Sequence, residues 1–124
     1  SISIDATNFL LESPSGRITT RGAVKSKTRV SALAVEALDE ETDYGLGFSA
    51  AGAATISLPA LYEEGLTFWI VNLSGVSNTY TITSSLSDIL DSATSTVAAS
   101  QARSLAFGEA VEITAIGGYW VMDS

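Results

Sequence analysis

The chain of 124 residues is the size of one domain, and 46% of it is apolar against 16% charged, which excludes an intrinsically disordered protein. The formal net charge of −8 disfavours bulk nucleic-acid binding, and the lack of His and Cys excludes disulfides, Cys/His zinc sites and Ser-His catalysis. No apolar stretch reaches the ~18 residues of a membrane-spanning helix, so we expect no membrane insertion.

Residues 1–29 are expected to form an N-terminal arm ahead of a single β-sandwich domain over residues 30–124. A turn signal at 13–16 interrupts short apolar pieces, so the arm should add little to the core. Two interpretations stay open: a solvated or edge-paired strand region, and an arm that binds an acidic surface on a neighbouring subunit or particle. The second rests on five of the six basic residues of the chain: Arg17, Arg21, Lys25, Lys27 and Arg29.

The next segment, residues 30–43, fits either a helix or a strand. Intrinsic propensity favours a helix with an apolar stripe, whereas the neighbouring strand patterns favour β structure, and we expect a strand. The segment ends in an acidic run. A calcium site there would need ligands from Glu36, Asp39, Glu41 and Asp43 around a Gly-bearing turn, and the loop pattern is missing, so we expect no metal or other cofactor.

From residue 44 onward the patterns are those of strands. Residues 66–73 are apolar on both faces, which predicts a strand that is covered on both sides. Residues 74–78 are expected to form a hairpin loop that leads into a strictly alternating strand at 79–83. In that strand Tyr80 and Ile82 should point into the core.

Near the C-terminus, Gly117–Gly118 between two apolar runs predicts a two-residue hairpin turn, because both positions of such a turn require a positive φ. The register then pairs Ile116 with Tyr119. The opposite side of this hairpin, with Ile116, Tyr119 and Val121, is too apolar for plain solvent. We take these three as a candidate subunit interface, with a second core layer of the same chain as the alternative. The core side of the hairpin holds Val111, Ile113, Ala115, Trp120 and Met122.

Many short strands joined by Gly/Ser turns predict an all-β protein, an antiparallel β-sandwich of jelly-roll type. Five features occur in order: TISLP at 55–59, Gly65 before the apolar strand that ends at 71–72, YTIT at 80–83, GEAVEI at 108–113 and YWV at 119–121. With these features, residues 53–124 resemble the C-terminal β domains of tailed-bacteriophage tail-fibre, tail-needle and head-decoration proteins.

The resemblance implies a homotrimer on the exterior of a phage virion, without enzymatic activity. Because the chain shows no heptads or short repeats of a fibrous stem, a capsid decoration (cement) protein that binds capsid proteins is favoured. The alternative is the receptor-binding tip of a tail fibre or tail needle, which would bind tail proteins and a host surface glycan or receptor.

A free carbohydrate-binding module is the next alternative, since Trp69 and Trp120 would be able to stack on sugars, although tryptophans in apolar strands are expected in the core. An enzyme comes last. Glycosidases need two carboxylates that face each other across the sugar, and the Glu63/Glu64 pair is expected in a solvated turn.

Overall fold

The computed structural model describes residues 27–40 and 43–123, and these residues form eleven strands in two sheets, without a helix. The all-β prediction is therefore confirmed. Of residues 30–43, which were expected to form a strand, residues 30–31 and 35–37 lie in two short strands, and the described ones form no helix. The strands are β1 (Thr28–Ser31), β2 (Val35–Ala37), β3 (Gly45–Phe48), β4 (Ala54–Ser57), β5 (Thr67–Asn72), β6 (Asn78–Thr83), β7 (Ile89–Asp91), β8 (Thr96–Ala98), β9 (Ser100–Leu105), β10 (Ala110–Ile116) and β11 (Tyr119–Asp123).

The first six strands alternate between the two sheets. Strands β1, β3 and β5 are parallel neighbours in a seven-stranded sheet, here called the large sheet, and β2, β4 and β6 are parallel neighbours in a four-stranded small sheet. The chain therefore winds as a two-layer coil of three turns, each of which adds one strand to each sheet. This follows from geometry, because parallel neighbours cannot be joined by a tight hairpin.

The coil corrects two expectations from the sequence. Five of the nine strand pairings are parallel, including that of β11 with β7, and the four antiparallel ones are β5–β10, β10–β11, β6–β9 and β7–β8. The loop at 74–78 is not a hairpin, because it crosses from β5 in the large sheet to β6 in the small sheet. The full order is β1-β3-β5-β10-β11-β7-β8 in the large sheet and β2-β4-β6-β9 in the small sheet.

The crossing loop after β5 is organised by one buried amide. Asn72 is fully buried, and its Nδ2 donates to the carbonyls of Val76 at 2.7 Å and Leu105 at 2.9 Å. Its Oδ1 accepts from the backbone N–H and the hydroxyl of Ser74. An amide supplies two N–H donors and an acceptor oxygen, whereas a hydroxyl has a single donor and a carboxylate has none.

The C-terminal hairpin forms as predicted. Gly117 and Gly118 have φ values of 62° and 89°, and Ile116 pairs with Tyr119. Tyr62, in the loop before β5, packs edge-on against Trp120 with ring centroids 5.6 Å apart, so this loop helps to cover the core. All five predicted core residues of the hairpin are fully buried, as are Tyr80 and Ile82: Val111, Ile113, Ala115, Trp120 and Met122.

Buried polar contacts tie the two sheets together at the end of the fold opposite to β1. Arg103 on β9 forms an ion pair with Asp91 on β7, and both side chains are largely buried. Gln101 Nε2, also on β9, donates to the carbonyls of Ile89 at 3.1 Å and Thr96 at 3.0 Å. These contacts join strands of different sheets where the chain passes from β8 to β9.

We predict that Trp120→Ala destabilises the domain by about 3–5 kcal/mol, because it empties the centre of the core. Urea unfolding followed by circular dichroism measures this change. As a control, Phe107→Ala truncates an exposed aromatic side chain and should change stability by at most about 0.5 kcal/mol. An unchanged unfolding midpoint for Trp120→Ala would contradict the core assignment.

Candidate interaction surfaces

The side of the large sheet that faces away from the small sheet is here called the outer face. All three predicted interface residues lie on it at the end of the hairpin: Ile116 is 54% exposed, Tyr119 is exposed and Val121 is half-buried. Strand registers extend the same face to Trp69 on β5 and Leu90 on β7. The structure thus brings the three residues together, and no described residue covers Ile116 or Tyr119 as a second core layer would.

Trp69 was expected in the core, but it lies on the outer face and is half-exposed. It borders a trough along β3, whose sequence alternates glycine with large side chains. Leu46 and Phe48 point into the core, and Gly45 and Gly47 form the floor of the trough on the outer face.

Close packing explains the two glycines of β3. A Cβ atom at Gly47 would lie 2.6 Å from Leu73 Cδ1, and one at Gly45 would lie 3.0 Å from Thr28 Cγ2 and 3.2 Å from Trp69 Cε3. Because Gly45 and Gly47 have no side chains, an apolar groove of about 340 Å³ remains between β1 and β5. The signal in the sequence is the alternation Gly-Leu-Gly-Phe at residues 45–48.

Two acidic side chains lie in the middle of the outer face. Glu112 on β10 is the cross-strand neighbour of Trp69 on one side and of Asp123 on the other, and both carboxylates are exposed. Like charges directly opposite each other on neighbouring strands are unfavourable. A cation from another chain would relieve this repulsion.

The predicted basic arm lies only partly within the described residues. Arg17, Arg21 and Lys25 lie outside them, Lys27 directly precedes β1, and Arg29 is part of β1. The expected domain boundary after residue 29 therefore falls inside a strand of the large sheet.

Arg29 is ion-paired within its own chain. Its Nε donates to Asp43 Oδ1 at 2.9 Å, and its Nη2 donates to Glu36 Oε2 at 3.1 Å. The hydroxyl of Ser31 donates a further hydrogen bond to Glu36, and the backbone N–H of Asp39 donates to Asp43 Oδ2 at 3.1 Å. This network connects β1 with β2 and with the loop before β3, so binding a partner through Arg29 would compete with contacts of the fold.

The network shifts the pKa of each of its members. Burial works to raise the pKa of Asp43, but hydrogen bonds from Arg29 and from the backbone of Asp39 outweigh it, and the net pKa is lowered. The pKa of Glu36 is lowered by hydrogen bonds from Ser31 and then from Arg29. The pKa of Arg29 is raised, first by its hydrogen bond to Asp43 and next by that to Glu36.

Other carboxylates also bind within the chain. Glu64, of the expected solvated pair Glu63/Glu64, accepts hydrogen bonds from the backbone N–H groups of Gly117 at 3.1 Å and Gly118 at 3.3 Å. It thereby joins the loop before β5 to the hairpin turn. Among the described residues, no group of three or more His, Cys, Asp or Glu side chains is placed to hold a metal ion.

Comparison with known proteins finds no family model and no curated protein sequence that matches this chain. Within the described residues, no helix is long and apolar enough to cross a membrane.

We predict that the network around Arg29 makes stability depend on pH in the acid range. Because the folded-state pKa values of Glu36 and Asp43 lie below their unfolded values of about 4, the stabilisation is complete above about pH 5 and is lost as the pH falls through the folded pKa values. Arg29→Gln should lower the urea midpoint at pH 6, and the difference between its midpoint and that of the wild type should narrow as the pH falls from 5 towards 3.

The matched control is Glu112→Gln, which removes an exposed carboxylate outside the network and should keep the wild-type loss of stability between pH 6 and pH 3. If Arg29→Gln and the wild type show parallel pH profiles, the network does not stabilise the fold in this way.

Proposed function

We propose that this protein is a non-enzymatic structural protein of a tailed-phage virion, that it acts as a homotrimer on the particle surface, and that it is a capsid decoration protein. The virion role and the trimer rest on the resemblance of residues 53–124 to phage surface β domains. The structural observation that supports self-association is the exposure of three large apolar side chains, Ile116, Tyr119 and Trp69, on the outer face of the large sheet.

Self-association would remove this apolar area from water. Burying apolar surface contributes about 25 cal/mol per Å², and large exposed apolar patches on small proteins mark interaction sites. The sequence composition agrees, because only 16% of the chain is charged against about 25% in typical globular domains.

Attachment to the particle is assigned to the basic residues before β1. The described residues hold eleven acidic side chains and only three basic ones: Lys27, Arg29 and Arg103. Arg29 and Arg103 are ion-paired within the chain. Arg17, Arg21 and Lys25 are therefore the cations through which an acidic surface of the capsid would be bound, and a decoration protein bound this way would join neighbouring coat subunits.

One observation favours a second function, the receptor-binding tip of a tail fibre or needle. Half-exposed Trp69 borders the groove over Gly45 and Gly47, with the Glu112 carboxylate beside it. An exposed indole ring next to a hydrogen-bond acceptor suits a sugar ring. Under this alternative, a host glycan would quench or shift the fluorescence of Trp69, and the tip would bind cells rather than capsids.

We predict that Ile116→Lys converts the oligomer to a 12.9 kDa monomer, because a buried lysine at the interface would be unpaired. Sedimentation velocity at micromolar concentration measures the change. Leu86→Lys is the matched control, since Leu86 lies in a loop and is 58% exposed against 54% for Ile116. A wild type that sediments as a monomer would contradict self-association.

We also predict that changing Arg17, Arg21 and Lys25 to Ser weakens binding to particles that lack this protein by about tenfold or more at ordinary ionic strength. The charge-preserving control exchanges Arg for Lys and Lys for Arg at the same positions and should bind like the wild type. At 1 M salt, where screening acts over about 3 Å, the difference should disappear. Unchanged binding by the Ser variant would move attachment onto the β domain.

A further inference from the structure

The two ends of the coil differ in how their strands are covered. At one end, the chain from β8 to β9 joins the two sheets, and side chains such as Gln101 bond to strand carbonyls. At the other end, β1 and β2 are the last strands of their sheets, and no described strand pairs with their outer edges. This second end, formed by residues 28–37, is here called the open end.

At the open end, alternate residues of β1 and β2 direct their backbone N–H and C=O groups away from β3 and β4, the strands with which β1 and β2 pair. The carbonyls of Lys27 and Ser31 accept hydrogen bonds from β3 and its flanks, so the alternate residue Val30 directs its N–H and C=O to the outer edge. In β2, the carbonyl of Ala34 accepts from Thr55, and Val35 faces outward in the same way. Unpaired edges of this kind are templates for a further strand.

The open end also exposes apolar side chains. Val35, Val30 and Leu33 are 68%, 64% and 63% exposed, the three highest values among the large hydrophobic residues of the described chain. Native proteins usually protect strand edges with charges, proline or a covering segment. On the outer edge of β2, Arg29 Nη2 donates to the carbonyl of Ala37 at 3.3 Å, and no described residue pairs with the backbone groups of Val35.

The chain that precedes β1 matches the spacing of one more turn. Inside the coil, loops of three, five and five residues (32–34, 49–53 and 73–77) lead from the large sheet to the small sheet, and loops of seven and nine residues (38–44 and 58–66) lead back. Before β1, the turn signal at 13–16 has four residues, and residues 21–27 are seven. Residues 9–12, Phe-Leu-Leu-Glu, precede the turn signal, and residues 17–20, Arg-Ile-Thr-Thr, follow it.

Charge complementarity points to the same segment. The loop after β2 and the network around Arg29 place Glu36, Asp39, Glu40 and Asp43 at this end, against the positive charges of Lys27 and Arg29 among the described residues. The preceding chain contributes Arg17, Arg21 and Lys25 between positions 13 and 26 and no acid there. Within residues 9–20, Arg17 is balanced by Glu12, so the reduction of the local negative charge would come from Arg21 and Lys25 in the connection to β1.

We propose that the open end is a docking surface for the chain's own residues 9–20, which add one strand to each sheet beside β1 and β2. This selects the edge-paired alternative for the arm and replaces the expectation that the arm adds little to the folded domain. It does not depend on the virion role, because it concerns a contact within one chain.

Hydrogen exchange of the full chain, read by NMR at single amides without particles, tests the proposal. The amides of Val30 and Val35 should exchange at least about tenfold more slowly than unprotected amides. Leu10→Asp with Ile18→Asp should abolish this protection. The matched control, Ile2→Asp with Ile4→Asp, adds the same charge outside residues 9–20 and should leave the protection unchanged.

Three results would overturn the proposal. Val30 and Val35 amides that exchange without protection in the full chain would show that the end is open. Protection that survives in the Leu10→Asp, Ile18→Asp variant would assign the cover to something other than residues 9–20. Protection that is lost on dilution would assign the cover to a second copy, by exchange of the segment between subunits.

Discussion

The change of sheet at every crossing from β1 to β6 is the constraint on which the rest of this structure depends. Because each turn of the coil gives one strand to each layer, in-sheet neighbours are parallel and every loop must pass between the layers. The crossing from β5 to β6 is held by the buried side-chain amide of Asn72. The same winding leaves one end with two unpaired edges and leaves the outer face of the large sheet uncovered by described residues.

The outer face follows from the side-chain alternation along three strands. In β3 the large residues point inward and glycines outward, so Trp69 of β5 lies against bare backbone and closes one side of a groove. In the C-terminal hairpin both sides are apolar, and only one side is used by the core. The core is therefore complete without Ile116, Tyr119 and Trp69, and these side chains remain exposed to solvent. This arrangement is the one expected of a subunit that associates with others.

The sequence predicted correctly those features that depend on residues close together in the chain. The glycine turn and the alternating runs around it predicted the register of the hairpin and its buried residues, because a two-residue turn leaves one pairing. It was not informative about the partner of a strand. The pattern of residues 79–83 is the same whether that strand returns in its own sheet or crosses to another, so the loop at 74–78 was wrongly predicted as a hairpin. Likewise, the basic residue Arg29 resembled its neighbours in the arm, and only the folded chain shows its pairing with Glu36 and Asp43.

The central claim is that the outer face is buried between subunits, and the two tryptophans of the chain allow a direct test. Trp120 is fully buried in the core, whereas Trp69 is 39% exposed in a single chain, so the neutral quencher acrylamide reaches only Trp69. We predict weak acrylamide quenching at micromolar concentration, with an increase on dilution and in the Ile116→Lys variant. Equal quenching of Trp69 at every concentration and in that variant would contradict the claim.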